Sequence, residues 1–229
     1  MMDQLLQRYQ NLLGAADAWF TRCQTAAGDD IACRRGCTGC CRGLFDITLL
    51  DAALLRRGFD RLTPAQQRPA RERAAARIAD LQRQWPAFAA PYILNLMPDE
   101  LWTEMPEDDA TPCPLLGDNG LCLVYAERPL ICRQHGLPLI DTSGDIIDER
   151  WCSLNFTGSD PLTRAELRFP LHAFHQREFT FLQDFSRQVL GFPLTELDTF
   201  IPAALLIDFA GFDWRAWGKR HAALLTRHR

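Results

Sequence analysis

Eight of the nine cysteines in this 229-residue chain fall into two groups. The first group lies within nine consecutive residues, CRRGCTGCC at 33–41, and the second is spread over residues 113–152. Thiolates are soft ligands, and four of them are enough to hold a zinc ion or an iron-sulfur cluster. We therefore predict metal ligands at Cys33, Cys37, Cys40, Cys41, Cys113, Cys122, Cys132 and Cys152.

Disulfide bonds are the main alternative use of so many thiols. The first residues, MMDQLLQRYQ, lack the basic and apolar regions of a secretory signal, so we expect a cytoplasmic protein. Cytosolic thiols are kept reduced, and cysteine clusters there are more often metal-binding or catalytic. An odd number of cysteines points in the same direction, and metal binding is therefore favoured over a disulfide framework.

The adjacent pair Cys40 and Cys41 restricts how a metal site can be built. Neighbouring side chains point in different directions on a helix and on a strand, so the pair does not readily bind one ion. One of the two thiols is expected to face a second metal, a cysteine of the other group or the core. The sequence leaves open whether each group of four closes its own site or the two groups interleave.

The cysteine spacing slightly favours one form of metal. Structural zinc sites commonly contain two C-x2-C pairs, whereas this chain has one, Cys37 and Cys40. Iron-sulfur clusters accept a distant fourth ligand. The expected cofactor is thus an iron-sulfur cluster or zinc, with a slight preference for iron-sulfur, in a structural, carrier or electron-transfer role.

Arginines flank the cysteines, and clustered thiolates need cations or N–H donors to offset their negative charge. The arginines in question are Arg34, Arg35, Arg42, Arg128 and Arg133. We predict that Arg128 and Arg133 support the bound cofactor without binding the metal.

Several fixed spacings together resemble one known family. The first group reads C-x3-C-x2-C-C, and residues 111–133 contain C-P-x-L, a cysteine three residues before a tyrosine, and R-P-x-x-C-R. This combination resembles the YkgJ-type cysteine-cluster family of zinc- or iron-chelating domains over roughly residues 33–140. The resemblance implies metal chelation. His135 departs from the family pattern, either as an additional ligand or as a packing residue.

An iron-sulfur-dependent enzyme is the alternative function. C-x3-C-x2-C is also the spacing with which radical S-adenosylmethionine enzymes hold a cluster, and flagellin lysine-N-methylases resemble the family in their cysteine motif. A methylase or another oxidoreductase therefore stays open. Against it, the cysteine loop leads into a helix without the alternating strands and helices of a parallel barrel. The sequence does not decide whether the chain is an enzyme.

Two other catalytic arrangements have less support. Cys37 and Cys40 have the spacing of a redox motif, but the thioredoxin-like context is missing. His172, His175 and Glu178 could share a helix face and ligate iron. Histidines among phenylalanines are, however, more often packing or solvent-facing.

Three helices are predicted in the first part of the chain. Apolar residues at steps of three and four indicate a helix over 2–26, with Cys23 on its buried stripe as a core thiol. Thr48 starts a helix over 49–59, so the first cysteine group lies on the loop entering it. Capping signals place a further helix over 64–84. Its arginines are expected on a solvated face: Arg71, Arg73 and Arg77.

The middle of the chain is predicted to be less regular. Residues 85–111 look like an acidic surface crossing or a lid. Asn119 and Gly120 indicate a hairpin with Cys113 and Cys122 on or beside its arms. A second hairpin turns at 142–144, just before Cys152, and Pro129 begins a short helix that carries Cys132.

The rest of the chain is predicted to be helical, with helices opening at Asp160 and Asp213 and another over 171–192. We thus predict a mainly α fold with one or two short β-hairpins and an irregular cysteine-rich metal-binding core packed on helices. Residues 1–229 are expected to form a single domain, in which 33–152 bind metal and 160–229 form a C-terminal helical part.

Composition excludes some partners. A net charge of -4 gives no reason to expect nucleic-acid binding. The longest apolar run, FIPAALLI from Phe200, is far shorter than the roughly 20 residues of a membrane span and is expected to be a buried helix. The expected partner is therefore a metal ion or cluster, and the sequence names no protein partner.

Overall fold

The structure is a computed structural model that describes residues 1–98, 100–101 and 110–226. The predicted mainly α fold with short hairpins is confirmed. Seven α-helices have their bounds within these residues: α1 (Met2–Ala27), α2 (Leu49–Phe59), α3 (Pro64–Gln84), α4 (Leu130–Gln134), α5 (Leu171–Val189), α6 (Ile201–Ala204) and α7 (Trp214–Leu225). The short strands found there form two antiparallel pairs: β1 (Asp46–Thr48), β2 (Leu139–Ile140), β3 (Ile146–Asp148) and β4 (Asp198–Phe200).

Helix α1 buries one stripe because its apolar residues recur at three- and four-residue steps. The stripe consists of Leu5, Leu6, Tyr9, Leu12, Leu13, Ala16, Trp19 and Cys23, so the predicted burial of Cys23 is confirmed. The indole N–H of Trp19 donates to the carbonyl of Leu167 at 2.8 Å, which satisfies the one polar atom of this buried ring. The helix ends at Gly28, whose φ of +58° favours glycine.

Both predicted capping signals are present. The hydroxyl oxygen of Thr48 accepts from the N–H of Asp51 at 3.0 Å at the start of α2. Thr63 and Gln66 form a capping box ahead of Pro64, the first residue of α3. Caps act within one turn of helix, which explains why these two helices have the predicted bounds.

Strand β1 leads out of the cysteine loop and pairs with β4, a contact that the sequence pattern does not predict. Asp46 lies opposite Phe200, and Thr48 lies opposite Asp198. Each strand has only three residues and no local turn joins them, so neither carries a recognisable pattern. The pair ties the end of the cysteine loop to the C-terminal helices.

The two predicted hairpins have different outcomes. Strands β2 and β3 form the second one, with the N–H of Asp141 donating to the carbonyl of Asp145 at 2.8 Å. The first is reduced to a turn with a single bridge, in which Leu116 pairs with Cys122. The N–H of Gly117 closes that turn on the carbonyl of Leu121 at 2.9 Å.

Some predictions for the middle and C-terminal parts of the chain are wrong. Residues 85–97 are not a surface crossing, because Trp85, Phe88 and Leu94 are buried in the core. The acidic run that follows lies largely outside the described residues. Only Ile201–Ala204 is helical within FIPAALLI, and the helix expected after Asp160 is replaced by two 3-10 turns, Pro161–Thr163 and Ala165–Leu167.

The buried apolar side chains form a cluster that includes residues from Leu5 on α1 to Leu225 on α7. Nowhere in the described ranges is a helix both long and apolar enough to cross a membrane.

Candidate metal centre

Two successive turns shape the loop that carries the first cysteine group. The N–H of Cys37 donates to the carbonyl of Arg34 at 2.9 Å, and the N–H of Cys41 donates to that of Thr38 at 3.0 Å. Gly36 has a φ of +87°, the left-handed conformation that the first turn requires. The loop is therefore irregular, and this is what allows its closely spaced thiols to face different neighbours.

Backbone pairing places Cys113 beside Cys41. The N–H of Cys113 donates to the carbonyl of Cys41 at 2.8 Å, next to a bridge between Arg42 and Pro112. The turn that follows brings Cys122 back opposite Leu116. Cys113 and Cys122 thus both lie on the side of the cysteine loop that carries Cys41.

Helix α4 carries Cys132 and is anchored at its first residue by a buried carboxylate. Asp51 of α2 is 3% exposed and accepts from the N–H of Leu130 at 3.4 Å and from the hydroxyl of Tyr9 at 3.0 Å. Burial raises the pKa of Asp51 to about 6. The Tyr9 hydroxyl also lies 3.4 Å from Glu178, so its single proton is shared between two carboxyl groups.

Cys152 returns to the start of the cysteine loop and not to the central cysteines. Its N–H donates to the carbonyl of Gly136 at 3.3 Å. A Cβ atom placed on Gly136 would lie 3.4 Å from Sγ of Cys33 and 3.6 Å from Cβ of Cys152. Because Gly136 has no Cβ atom and has a φ of +104°, Cys33 and Cys152 can both pack closely against its backbone.

The thiols gather around one cleft of about 910 Å³. Seven of the predicted ligands line it: Cys33, Cys37, Cys40, Cys41, Cys113, Cys122 and Cys132. The eighth, Cys152, adjoins it through Cys33, whereas Cys23 is not among the lining residues. All eight are partly buried and carry free thiols.

Electrostatic neighbours divide these thiols into two sets that interleave along the chain. The charges of Cys37, Cys40 and Cys152 act on Cys33, while Cys41 has a hydrogen bond with Cys40 and is affected by the charges of Cys113, Cys122 and Cys132. Cys40 also acts on Cys132, so it belongs to the boundary between the sets. The adjacent pair Cys40 and Cys41 is thus the point at which the two sets meet.

The thiols differ in how readily they lose a proton. A hydrogen bond to Cys41 raises the pKa of Cys40, and the same bond lowers the pKa of Cys41. Burial raises the pKa of Cys113 to about 11 and raises that of Cys132 well above its usual value. Burial also raises the pKa of Cys33, and a hydrogen bond from Asn155 opposes part of that rise.

Two predicted supporting arginines line the cleft and share one carboxylate on α1. Arg128 lies with Nη2 2.6 Å from Oδ1 of Asp17, and Arg133 pairs with Oδ2 of the same residue. Arg133 also donates to the carbonyls of Arg128 and Ala126 at 3.0 and 2.8 Å. The charge of Arg128 lowers the pKa of both Cys40 and Cys122, although it is not the main influence on either.

Helix α3 contributes an arginine that the sequence assigned to a solvated face. Arg73 donates to the carbonyl of Pro114 at 2.8 Å and to that of Leu116 at 3.3 Å. Arg73 is exposed, as expected, but helix periodicity does not say whether a loop packs beside an exposed face. Arg73 therefore holds the segment that follows Cys113.

The histidines take other partners. The ring of His135 packs edge-on against Phe45 with 5.4 Å between centroids, and burial lowers its pKa. His172 is mostly exposed and lies 3.7 Å from Asp145, while Glu178 faces Tyr9. The structure does not bring His172, His175 and Glu178 together as metal donors.

The donor set suits zinc or iron, because thiolates are soft ligands. In the part of the chain that the structure describes, no three His, Cys, Asp or Glu side chains are arranged so that one ion could bind to all of them. The thiols surround a shared space without converging on a point within it.

A family model matches residues 32–153, more than half of the chain, and is described as a "putative zinc- or iron-chelating domain". The protein is thus of the metal-chelating cysteine-cluster class. The chain belongs to the CxxCxxCC family, as the YkgJ-type resemblance predicts. Its first interval, between Cys33 and Cys37, is one residue longer than the family name spells. No match was found among curated proteins or among solved structures.

Some residues that organise the site carry no recognisable signal in the sequence. Asp17 lies in an ordinary amphipathic helix, and Asn155 lies in the irregular segment WCSLNF. A lone Asp or Asn is usually exposed, so only the arrival of its partners from distant segments identifies it.

Proposed function

We propose that the protein chelates iron or zinc through the eight thiols around the cleft. The observation that carries this proposal is that seven of them line one space and the eighth adjoins Cys33. Eight thiols exceed the four that one tetrahedral ion needs, which favours two neighbouring sites or one polynuclear centre. Binding would draw the thiols of the cleft toward shared positions.

We further infer that the ligands divide as their neighbours do. One set would be Cys33, Cys37, Cys40 and Cys152, and the other would be Cys41, Cys113, Cys122 and Cys132. In this division Cys40 and Cys41 bind metal in different sets, because the side chains of neighbouring residues point in different directions. Arg128, which faces Cys40 and Cys122, would offset thiolate charge in both sets.

An iron-sulfur cluster is the form we favour in at least one set. The proposed ligands come from segments spread widely along the chain. Iron-sulfur clusters accept such wide spacing, whereas compact zinc knuckles do not need it. Seven of the thiols line a cleft and do not lie in a closed core, and closed four-thiolate sites are the ones that are usually structural. A carrier or electron-transfer role therefore suits this site better than a purely structural one.

Metal analysis of anaerobically purified protein tests the proposal. Iron with an equal amount of acid-labile sulfide and a brown colour would support the cluster, whereas zinc in a colourless protein would support chelation but overturn the cluster. A folded protein that takes up neither metal on reconstitution would overturn both. Cys41→Ala should bind less metal than the parent, and the matched core variant Cys23→Ala should bind the same amount.

The division into sets has its own test. Cys152→Ala and Cys132→Ala should each remove about half of the bound metal if the two sets are separate sites. A variant of one set that loses all metal, while remaining folded, would indicate a single polynuclear centre.

A further inference from the structure

Asn155 is a buried amide that joins three segments of the cysteine site. Asn155 is only 1% exposed. Oδ1 accepts from the N–H of Ala32 at 2.9 Å, and Nδ2 donates to the carbonyl of Gly136 at 2.7 Å. Its own N–H donates to the carbonyl of Cys152 at 2.8 Å. Asn155 therefore links the start of the cysteine loop to the two segments that bring Cys152 beside it.

The orientation of this amide is determined by its backbone partners. Exchanging the oxygen and nitrogen would place two acceptors face to face at Gly136 and two donors face to face at Ala32. Both arrangements are repulsive and leave buried polar atoms unpaired. The nitrogen thus points toward Gly136 and Cys33.

An amide nitrogen has two N–H groups, and the carbonyl of Gly136 uses one. The other is free for Cys33, whose Sγ lies 3.4 Å from Nδ2. The same sulfur lies 3.7 Å from Oδ1, to which a protonated thiol can donate. The side chain therefore has a partner for the thiol and for the thiolate of Cys33.

We propose that Asn155 is a positioning residue of the metal centre, which holds Cys33 in place and donates an N–H to its sulfur when that sulfur binds metal. The proposal rests on the proposed function. Hydrogen bonds to ligating sulfurs reduce the charge that the metal must balance, and they tune affinity and cluster potential. Among the described residues, Asn155 is the side chain that donates to Sγ of Cys33, whereas Gln24 donates to the backbone carbonyl of Cys33 at 2.6 Å.

Metal affinity in matched variants tests this role, with Zn²⁺ as the probe and a chelator as competitor. Asn155→Ala and Asn155→Asp should bind Zn²⁺ about 10- to 100-fold more weakly than the parent chain. Asn95→Ala is the control, because Asn95 also bridges backbone and side chain, at Asp198, and is not among the residues lining the cleft. Equal affinity in all of these proteins would overturn the proposal.

A second measurement needs no variant and guards against loss of folding. In ¹⁵N-labelled parent protein, the Asn155 side-chain amide proton nearest Cys33 should move downfield when Zn²⁺ is added, since its acceptor becomes a thiolate. A resonance that stays in place while Zn²⁺ binds would overturn the role of Asn155 alone. Failure of the parent chain to bind Zn²⁺ or iron would instead count against the proposed function.

Discussion

Asp17 on α1 and Arg128 beside the cleft form an ion pair of 2.6 Å, and the same carboxylate also holds Arg133. The Arg133 side chain is only 2% exposed, whereas Asp17 is 37% exposed. One carboxylate therefore compensates two cations that flank Cys132, and it fixes the segment carrying this thiol to the first helix.

Removing Asp17 should destabilise the fold strongly. Asp17→Ala removes the ion-pair partner of the buried Arg133, which costs at most about 3–5 kcal/mol, the range for a fully buried pair, since Asp17 itself is 37% exposed. Urea denaturation monitored by circular dichroism measures the loss. Asp184→Ala is the control, because its pair with Arg187 is exposed on both sides and should change stability by less than about 1 kcal/mol. Equal stability of the two variants would show that Asp17 does not compensate Arg133.

Arg73 should matter for metal binding more than for stability. Arg73→Ala frees the carbonyls of Pro114 and Leu116 and so loosens the segment after Cys113. We expect Zn²⁺ affinity to fall about 10-fold, the lower end for residues that orient a ligand indirectly. Competition with a chelator checks this, and Arg68→Ala, which changes another exposed arginine of α3, should leave affinity unchanged. An unchanged affinity in Arg73→Ala would refute the role.

Metal binding should release protons. Burial raises the pKa of Cys113 to about 11 and also raises that of Cys122, so these thiols are protonated at neutral pH and must ionise to bind metal. Zn²⁺ affinity should therefore rise with pH between about pH 6 and pH 8. Calorimetry in buffers of different ionisation enthalpy counts the protons released, and a heat that does not depend on the buffer would contradict thiol ligation.

Glu178 should make stability fall as pH rises. Burial raises its pKa in the folded protein from 4.5 to about 8, so the native state keeps a proton that the unfolded chain has already lost within this range. The contribution of Glu178 to the free energy of unfolding is thus fully present below pH 4.5 and is lost progressively up to about pH 8. This contribution is at most about 1.4 kcal/mol for each unit of difference between the two pKa values.

Glu178→Gln keeps an acceptor for Tyr9 but does not ionise. It should be more stable than the parent above pH 8 and show a weaker dependence on pH, with Asp51 and Asp198, whose pKa values burial also raises, contributing at lower pH. Thermal melts across this range measure the effect, and the exposed-site variant Glu72→Gln should follow the parent. Parallel curves for parent and Glu178→Gln would contradict the buried carboxyl pair.

The sequence by itself determined the longer helices and the chemical type of the site. Thr48 and Thr63 begin α2 and α3 where predicted, because capping depends on residues within a single turn. The apolar stripe of α1 follows from spacing alone. The two cysteine groups likewise predicted soft-metal chelation and the family, since a donor atom's chemistry does not depend on the fold.

The tertiary structure decided which thiols are neighbours. Cys152 returns to Cys33 through Gly136, and Cys113 pairs with the backbone of Cys41, so the two sequence groups interleave. These contacts join segments up to about 120 residues apart, and no local pattern encodes such a pairing. The roles of Asp17 and Asn155 were decided in the same way, because each side chain meets its partners only when segments distant in sequence fold against it.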